Sequence, residues 1–171
     1  RTPSSASNRR PFTISFWIKF SEIKANNVPL EVFQDGSNFF LLSFGSDGKM
    51  TLYNVIGGTD YGKVTNRQFR DTSAWYHILF ISDTTQSTAS DRWKLYVNGV
   101  QETSFGSDYG DTPENYETLV NTTNAHNIGF RDDNDVYSSY YLTEYHFVDG
   151  TAKAHTDFGE FDSDTGIWIP K

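Results

Sequence analysis

The sequence contains no cysteine, so disulfides, zinc–thiolate sites and cysteine nucleophiles are all excluded. It also lacks any run of about 18 or more apolar residues, which argues against a membrane span, and we expect no signal peptide within it. The chain opens abruptly at Arg1, and we expect it to be a domain of a longer protein. Its 171 residues are enough for one domain whose core must be held by packing alone.

Positive charge is scarce in the last third of the chain. Residues 105–171 carry 3 Lys and Arg against 13 Asp and Glu, a net of −10, whereas residues 1–104 have a net of +2. An acidic surface repels phosphate backbones, so a nucleic-acid partner is not expected. The acidity either keeps an aromatic-rich protein soluble or attracts calcium, which prefers oxygen ligands.

Aromatic residues are plentiful, at 16% of the chain, and many lie in segments that alternate with a period of two. The segment 12–20 has one wholly apolar face, and Trp17 is the large exception on its polar side. Turn pairs such as Asp35-Gly36 and Asn98-Gly99 separate the apolar runs. They predict strands at 12–20, 29–34, 38–44, 49–56, 62–69, 75–82, 92–98, 118–120, 125–130 and 139–148.

Helical patterns are almost absent. We expect one short helical turn at 154–158, with Thr151 or Thr156 as its cap, and an ordered surface loop at 106–117. Many short antiparallel strands joined by turns predict a sandwich or a barrel. Both faces of 75–82 are mostly apolar, which predicts a central strand.

Three motifs occur in a recognisable order. The first is the strand 12–19, with the sequence Phe-Thr-Ile-Ser-Phe-Trp-Ile-Lys. The second is Trp-Tyr-His-Ile at 75–78 followed by Leu-Tyr-Val-Asn-Gly at 95–99, and the third is the closing segment 141–151. On these motifs the chain resembles the laminin G-like branch of the concanavalin A-like lectin/glucanase sandwiches. The resemblance implies an all-β fold: a two-sheet antiparallel jelly-roll sandwich.

The two ends of the chain carry a narrower resemblance. Residues 1–9 and 157–168 are similar to segments that open and close domains in structural proteins of marine tailed bacteriophages. This implies a tail or fibre protein on the virion surface, displayed in several copies, with host-surface glycan and other virion proteins as partners. The alternative is a purely structural module that assembles or decorates the virion without binding glycan.

A catalytic role is not expected. Glucanases of the superfamily carry Glu-x-Asp-x-Glu on one strand, and the nearest match here is Glu-Phe-Asp-Ser-Asp at 160–164. It ends in Asp and lies after the last predicted strand, where 162–166 is typical of a turn. No Gly-x-Ser-x-Gly elbow occurs, and we expect His77 and His146 to be packed and hydrogen-bonded on their strands. We therefore assign no catalytic residue.

Sugar binding requires aromatic rings beside polar groups. The candidates lie in turn-rich stretches or point away from an apolar face, and the alternative for each is a place in the core. They are Trp17, Tyr53, Tyr61, Tyr109 and Tyr137. We expect Trp75 and Trp93, by contrast, to belong to the core.

Calcium is possible but not required. Asp132, Asp133 and Asp135 lie together between two predicted strands, and related laminin G-like domains often bind calcium at a loop rim. The spacing matches no recognised calcium loop, so an acidic surface turn is the alternative.

Overall fold

The computed structural model describes residues 1–132 and 135–171, and two antiparallel sheets account for most of them. The first sheet has five strands in the order β13-β1-β6-β7-β8. These are β1 (Pro11–Phe20), β6 (Tyr76–Asp83), β7 (Trp93–Val97), β8 (Val100–Glu102) and β13 (Tyr140–Asp149).

The second sheet has six strands in the order β10-β2-β3-β4-β5-β9. These are β2 (Asn27–Asp35), β3 (Asn38–Phe44), β4 (Lys49–Ile56), β5 (Thr59–Gln68), β9 (Phe105–Asp108) and β10 (Ala125–Asn127). The predicted two-sheet sandwich is confirmed, and β6 is the central strand of its sheet, as expected.

The core lies between the two sheets and is built largely from alternating positions. In β1, Phe12, Ile14, Phe16, Ile18 and Phe20 are all buried in it. The ring of Phe12 meets that of Phe40 on the opposite sheet edge to face, with centroids 6.2 Å apart. Phenylalanine pairs of this kind bury large areas and favour edge-to-face contact, so aromatic packing can replace the missing disulfides.

Smaller elements complete the chain. Two short hairpins are formed by β11 (Phe130–Arg131) with β12 (Val136–Tyr137), and by β14 (Gly159–Phe161) with β15 (Trp168–Pro170). The chain also forms a four-residue helix, α1 (Ala89–Arg92), and a 3₁₀ turn at His155–Asp157. In the part of the chain that the structure describes, neither is long or apolar enough to cross a bilayer.

The hairpin β14–β15, which we call the C-terminal hairpin, covers the outer face of the five-stranded sheet. Trp168 from β15 lies against His77, with ring centroids 5.8 Å apart, and His77 lies against Trp17, with centroids 5.1 Å apart. Trp17 is only 9% exposed. A second, smaller core therefore lies behind the sheet, on the side away from the main core.

Several local predictions were wrong. Residues 118–120 form no strand, because Thr118 bonds the Arg9 carbonyl and the following apolar pair fills the end of the core. The predicted loop at 106–117 begins as β9. The 3₁₀ turn follows Ala154 and has no side-chain cap from Thr151 or Thr156. Trp75 precedes β6 and is 40% exposed, whereas Trp93 is buried as expected.

Candidate functional site

The outer face of the six-stranded sheet carries the candidate site. In β3, Phe40, Leu42 and Phe44 point into the core, so alternation places Phe39, Leu41 and Ser43 on the outer face. Leu41 pairs with Tyr53 on β4, which puts the Tyr53 side chain on that face as well. This face bears large aromatic side chains that the core does not use.

Four of these side chains form a continuous line, which we call the aromatic row: Phe33, Phe39, Tyr53 and Tyr109. Successive ring centroids are 6.5, 5.6 and 5.0 Å apart. The rings are tilted against each other by 38°, 52° and 66°. Tyr109 at one end is 46% exposed, and the other three are partly exposed. Rings spaced by about the width of a sugar can each present an apolar surface to one unit of a chain.

A glycine makes the closest contact in the row possible. Gly62 on β5 pairs directly with Tyr53 and exchanges backbone hydrogen bonds with the segment at Tyr109 and Gly110. With no side chain between them, the Tyr53 and Tyr109 rings can touch across β5. Gly62 has φ +147°, and a Cβ there would lie 2.1 Å from the Leu52 carbonyl oxygen, so another residue would require the strand to move.

Polar groups accompany the row. Burial, and then hydrogen bonding with the Asp60 carboxylate, raises the pKa of Tyr53 to about 12. The phenol therefore stays protonated at neutral pH, with Asp60 as an acceptor beside it. An aromatic surface next to a carboxylate that can accept hydroxyl hydrogen bonds is the arrangement that sugars require.

A buried ion pair bounds the site at β2. Glu31 is 1% exposed, lies beside Leu41 and accepts a 2.6 Å hydrogen bond from the Asp132 backbone N–H. Arg131 lies 4.0 Å from Glu31 and donates to Asn26 at 2.7 Å. These contacts hold the β11–β12 hairpin over the outer face of β2, and the two charges offset each other.

Of the five predicted ligand residues, the structure brings Tyr53 and Tyr109 together. Tyr61 pairs with Asn54, so it points to the opposite side of the sheet, where its ring lies 5.4 Å from Tyr116. Tyr137 packs on Phe130 in the β11–β12 hairpin. Trp17 lies in the second core beneath the C-terminal hairpin, so its ring contacts protein.

The aromatic row also includes residues that the sequence did not single out. Phe39 lies in a strongly apolar run whose faces periodicity cannot assign, Phe33 lies in a mixed stretch next to Gln34 and Asp35, and Asp60 follows an unremarkable Gly-Gly turn. Their shared position depends on the register of β2, β3 and β4. The polar turn residues at the ends of those strands, such as Asp35-Gly36, are a local signal that could have suggested these residues.

The calcium candidates fall partly outside the described residues. Asp132 and Asp135 are exposed, and Asp133 is not described. Within residues 1–132 and 135–171, no group of three or more His, Asp or Glu side chains is placed to hold a metal ion. Calcium at this loop stays a prediction.

The glucanase-like stretch lies far from the aromatic row. Glu160 is on β14, in the C-terminal hairpin, and Asp162 accepts bonds from the Asp164 and Thr165 backbone N–H groups and the Thr165 hydroxyl. The predicted turn at 162–166 is confirmed. Asp162 is thus engaged in stabilising that turn.

His77 is packed and hydrogen-bonded, as predicted. The Trp168 indole N–H donates to its Nδ1 at 3.1 Å, so the neutral ring carries its proton on Nε2, which lies 2.8 Å from the Ser15 hydroxyl. The prediction that His146 is packed was wrong, because its side chain is exposed; its Nε2 lies 3.3 Å from a Glu144 carboxylate oxygen.

These observations define a β-sandwich of lectin type, with one sheet face covered by its own hairpin and the other bearing the aromatic row. The chain belongs to the concanavalin A-like lectin/glucanases superfamily, since a laminin G-like family model with that description matches residues 1–155. A search of curated protein sequences found no match.

Solved structures share the fold at low identity. Domain 4 of the extracellular GH43 arabinanase AbnA from Geobacillus stearothermophilus, in complex with arabinotriose, is 19% identical over 86% of this chain, with a TM-score of 0.59. The chain spans 64% of that domain's length. The CBM40 of the Ruminococcus gnavus IT-sialidase, bound to α2,6-sialyllactose, is 15% identical over 88% of this chain and 82% of its own, with a TM-score of 0.63.

A further solved structure is the native heptameric SAP-like pentraxin from Limulus polyphemus. It is 15% identical over 91% of this chain and 71% of its own, with a TM-score of 0.53. At these identities the comparisons establish the fold alone.

Proposed function

We propose that this domain binds glycan through the aromatic row and has no catalytic activity of its own. The observation that carries the proposal is the line of four partly exposed rings, with the Asp60 carboxylate beside Tyr53 on the same face. Apolar ring surface beside a hydroxyl acceptor suits the two kinds of surface that a sugar presents. Fold neighbours that were solved with arabinotriose and sialyllactose support this reading.

The test is a glycan-array screen of the purified protein, with and without a calcium chelator. Tyr53→Ala and Tyr109→Ala should each weaken binding to any glycan found by about tenfold or more, because each removes a ring from the row. Tyr141→Ala is the matched control, since Tyr141 is 61% exposed on the outer face of the other sheet. A chelator-sensitive signal would show that binding requires calcium.

Two results would overturn the proposal. One is silence across host-derived polysaccharides, which would favour the purely structural role. The other is binding that Tyr141→Ala reduces as much as Tyr53→Ala does, which would place the ligand elsewhere.

We further propose that the domain belongs to a phage virion protein of the tail or fibre, exposed on the virion surface. The similarity of residues 1–9 and 157–168 to phage structural proteins supports this assignment. Detection of the intact protein in purified virions by mass spectrometry, and antibody labelling of tails or fibres, would test it. Labelling confined to the capsid interior would contradict it.

A further inference from the structure

We propose that the aromatic row selects neutral glycans and discriminates against carboxylated and sulfated ones. The inference rests on the proposed function, because it names the ligand class of the same site. It is carried by the charges of the three chain stretches that surround the row, and by the positions of the Lys and Arg side chains near it in the described part of the chain.

The stretches 33–39, 53–62 and 107–112 contain four Asp and neither Lys nor Arg. Two of them are joined at their turns, because the Gly58 N–H donates to the Ser37 carbonyl and the Gly57 N–H to the Asn38 side chain. Asp35 and Asp60 therefore lie at the same edge of the sheet, alongside the row. Within residues 1–132 and 135–171, neither carboxylate takes part in an ion pair.

The cations nearest the row are already engaged or lie at its far side. Lys63 forms a 2.8 Å ion pair with Asp111 and lies over the Phe105 ring. Arg131 is held by Glu31 and Asn26. Lys49 shares the outer face of β4 but is four residues from Tyr53, roughly 13 Å along the strand. A carboxylated or sulfated sugar on Tyr53 would thus meet Asp60 before any free positive charge.

The Asp35 carboxylate is held in its charged form by hydrogen bonds from its own turn. Asp35 accepts from the Ser37 N–H at 2.8 Å and from the Asn38 amide at 2.9 Å, which lowers its pKa. Two like charges about 6 Å apart in water repel enough to weaken binding about threefold, and two such contacts give about tenfold. A neutral sugar avoids this repulsion and can donate hydroxyl hydrogen bonds to the same oxygens.

The tilts between neighbouring rings further restrict the shape of glycan that the row can bind. Rings inclined by 38° to 66° cannot form one flat platform, so they suit a single twisted chain better than the flat surface of a crystalline polysaccharide. With four rings in line, a chain of several sugars should bind more tightly than a single sugar. The expected ligand is thus a soluble, uncharged oligosaccharide.

The experiment compares neutral oligosaccharides with their carboxylated counterparts, such as lactose with sialyllactose and arabino-oligosaccharides with oligouronates. The intact protein should bind a neutral member about tenfold more tightly than its acidic partner. Asp60→Asn should reduce that ratio to about threefold, because it removes the charge from one of the two repulsive contacts. Asp164→Asn, an exposed carboxylate on the C-terminal hairpin, is the matched control and should leave the ratio unchanged.

The outcomes separate the two proposals. Equal or tighter binding of the acidic members, through a site that Tyr53→Ala disrupts, would overturn the selectivity and leave glycan binding intact. The selectivity would also be overturned if Asp60→Asn left the ratio of neutral to acidic oligosaccharide affinity unchanged. Binding of no member of either set would overturn both proposals.

Discussion

His77 shows how one residue can be essential to this fold without being a ligand or a catalyst. Its Nδ1 accepts from Trp168 and its Nε2 lies against Ser15, so the neutral ring joins β1, β6 and the C-terminal hairpin. A proton on Nδ1 would point at the indole N–H and break that bond. Burial, and then the charges of His146 and His155, lower the pKa of His77 to about 4.

Stability should therefore fall in mild acid. The unfolded chain takes up a proton near pH 6.5 and the folded chain only near pH 4, so stability is fully present above 6.5 and is lost as pH falls toward 4. At pH 5 the His77 contribution to the free energy of unfolding should be about 2 kcal/mol lower than at pH 7.5. Urea titrations at both pH values measure this difference.

Two variants test whether His77 causes the loss of stability in mild acid. His77→Gln should lower stability at both pH values but remove about 2 kcal/mol of the difference between them. His146→Gln, at an exposed position of β13, which is two strands away from β6, should leave the difference nearly intact. An unchanged pH dependence in His77→Gln would shift the explanation to other groups, such as His126, whose pKa is also lowered by burial.

Among the secondary-structure elements, those defined by alternation could be predicted and those defined by register could not. The strand 12–20 and the central strand 75–82 display their faces locally, so the sequence alone indicates a two-layer sandwich. The aromatic row joins residues as distant as Phe33 and Tyr109, and the strand pairing that aligns them leaves no mark in either segment. Trp75 was misassigned because β6 begins one residue later.

The turn between β7 and β8 controls how the C-terminal hairpin packs. Gly99 has φ +76°, and a Cβ there would lie 2.2 Å from the Trp168 ring. Gly99→Ala should therefore lower the free energy of unfolding by about 3 kcal/mol, from the left-handed backbone and the displaced indole together. Acrylamide quenching should then show greater solvent access to Trp17.

Gly166→Ala separates these two causes. Gly166 also has positive φ, +68°, but faces open space, so alanine there should cost about 1 kcal/mol. Equal losses in the two variants would mean that contact with Trp168 contributes nothing.

At the scale of the whole molecule, the open face is a shallow row of rings, and a surface of this kind binds weakly through any single copy. Presenting several copies together should therefore raise the affinity for a glycan-coated surface more than any single contact does. Beads or multimers that present several copies should bind a glycan-coated surface at least 100-fold more tightly than the monomer, because later contacts form at high effective concentration. Surface plasmon resonance of the two forms measures the ratio.

Affinity for soluble oligosaccharide should be the same for monomer and multimer, since no new contact forms. A multimer that carries Tyr53→Ala is the control, and it should lose most of the increase in affinity for the glycan-coated surface. A similar surface signal from that control would mean that the multimer adheres without using the aromatic row.

The C-terminal hairpin makes the two outer faces of the sandwich different. Lys171 ends beside Phe158 on the side that Trp168 covers, away from the aromatic row. A chip, bead or fusion partner joined at Lys171 therefore leaves from behind the five-stranded sheet. An assembly tethered in this way would hold every aromatic row outward, with all copies free to meet the same surface at once.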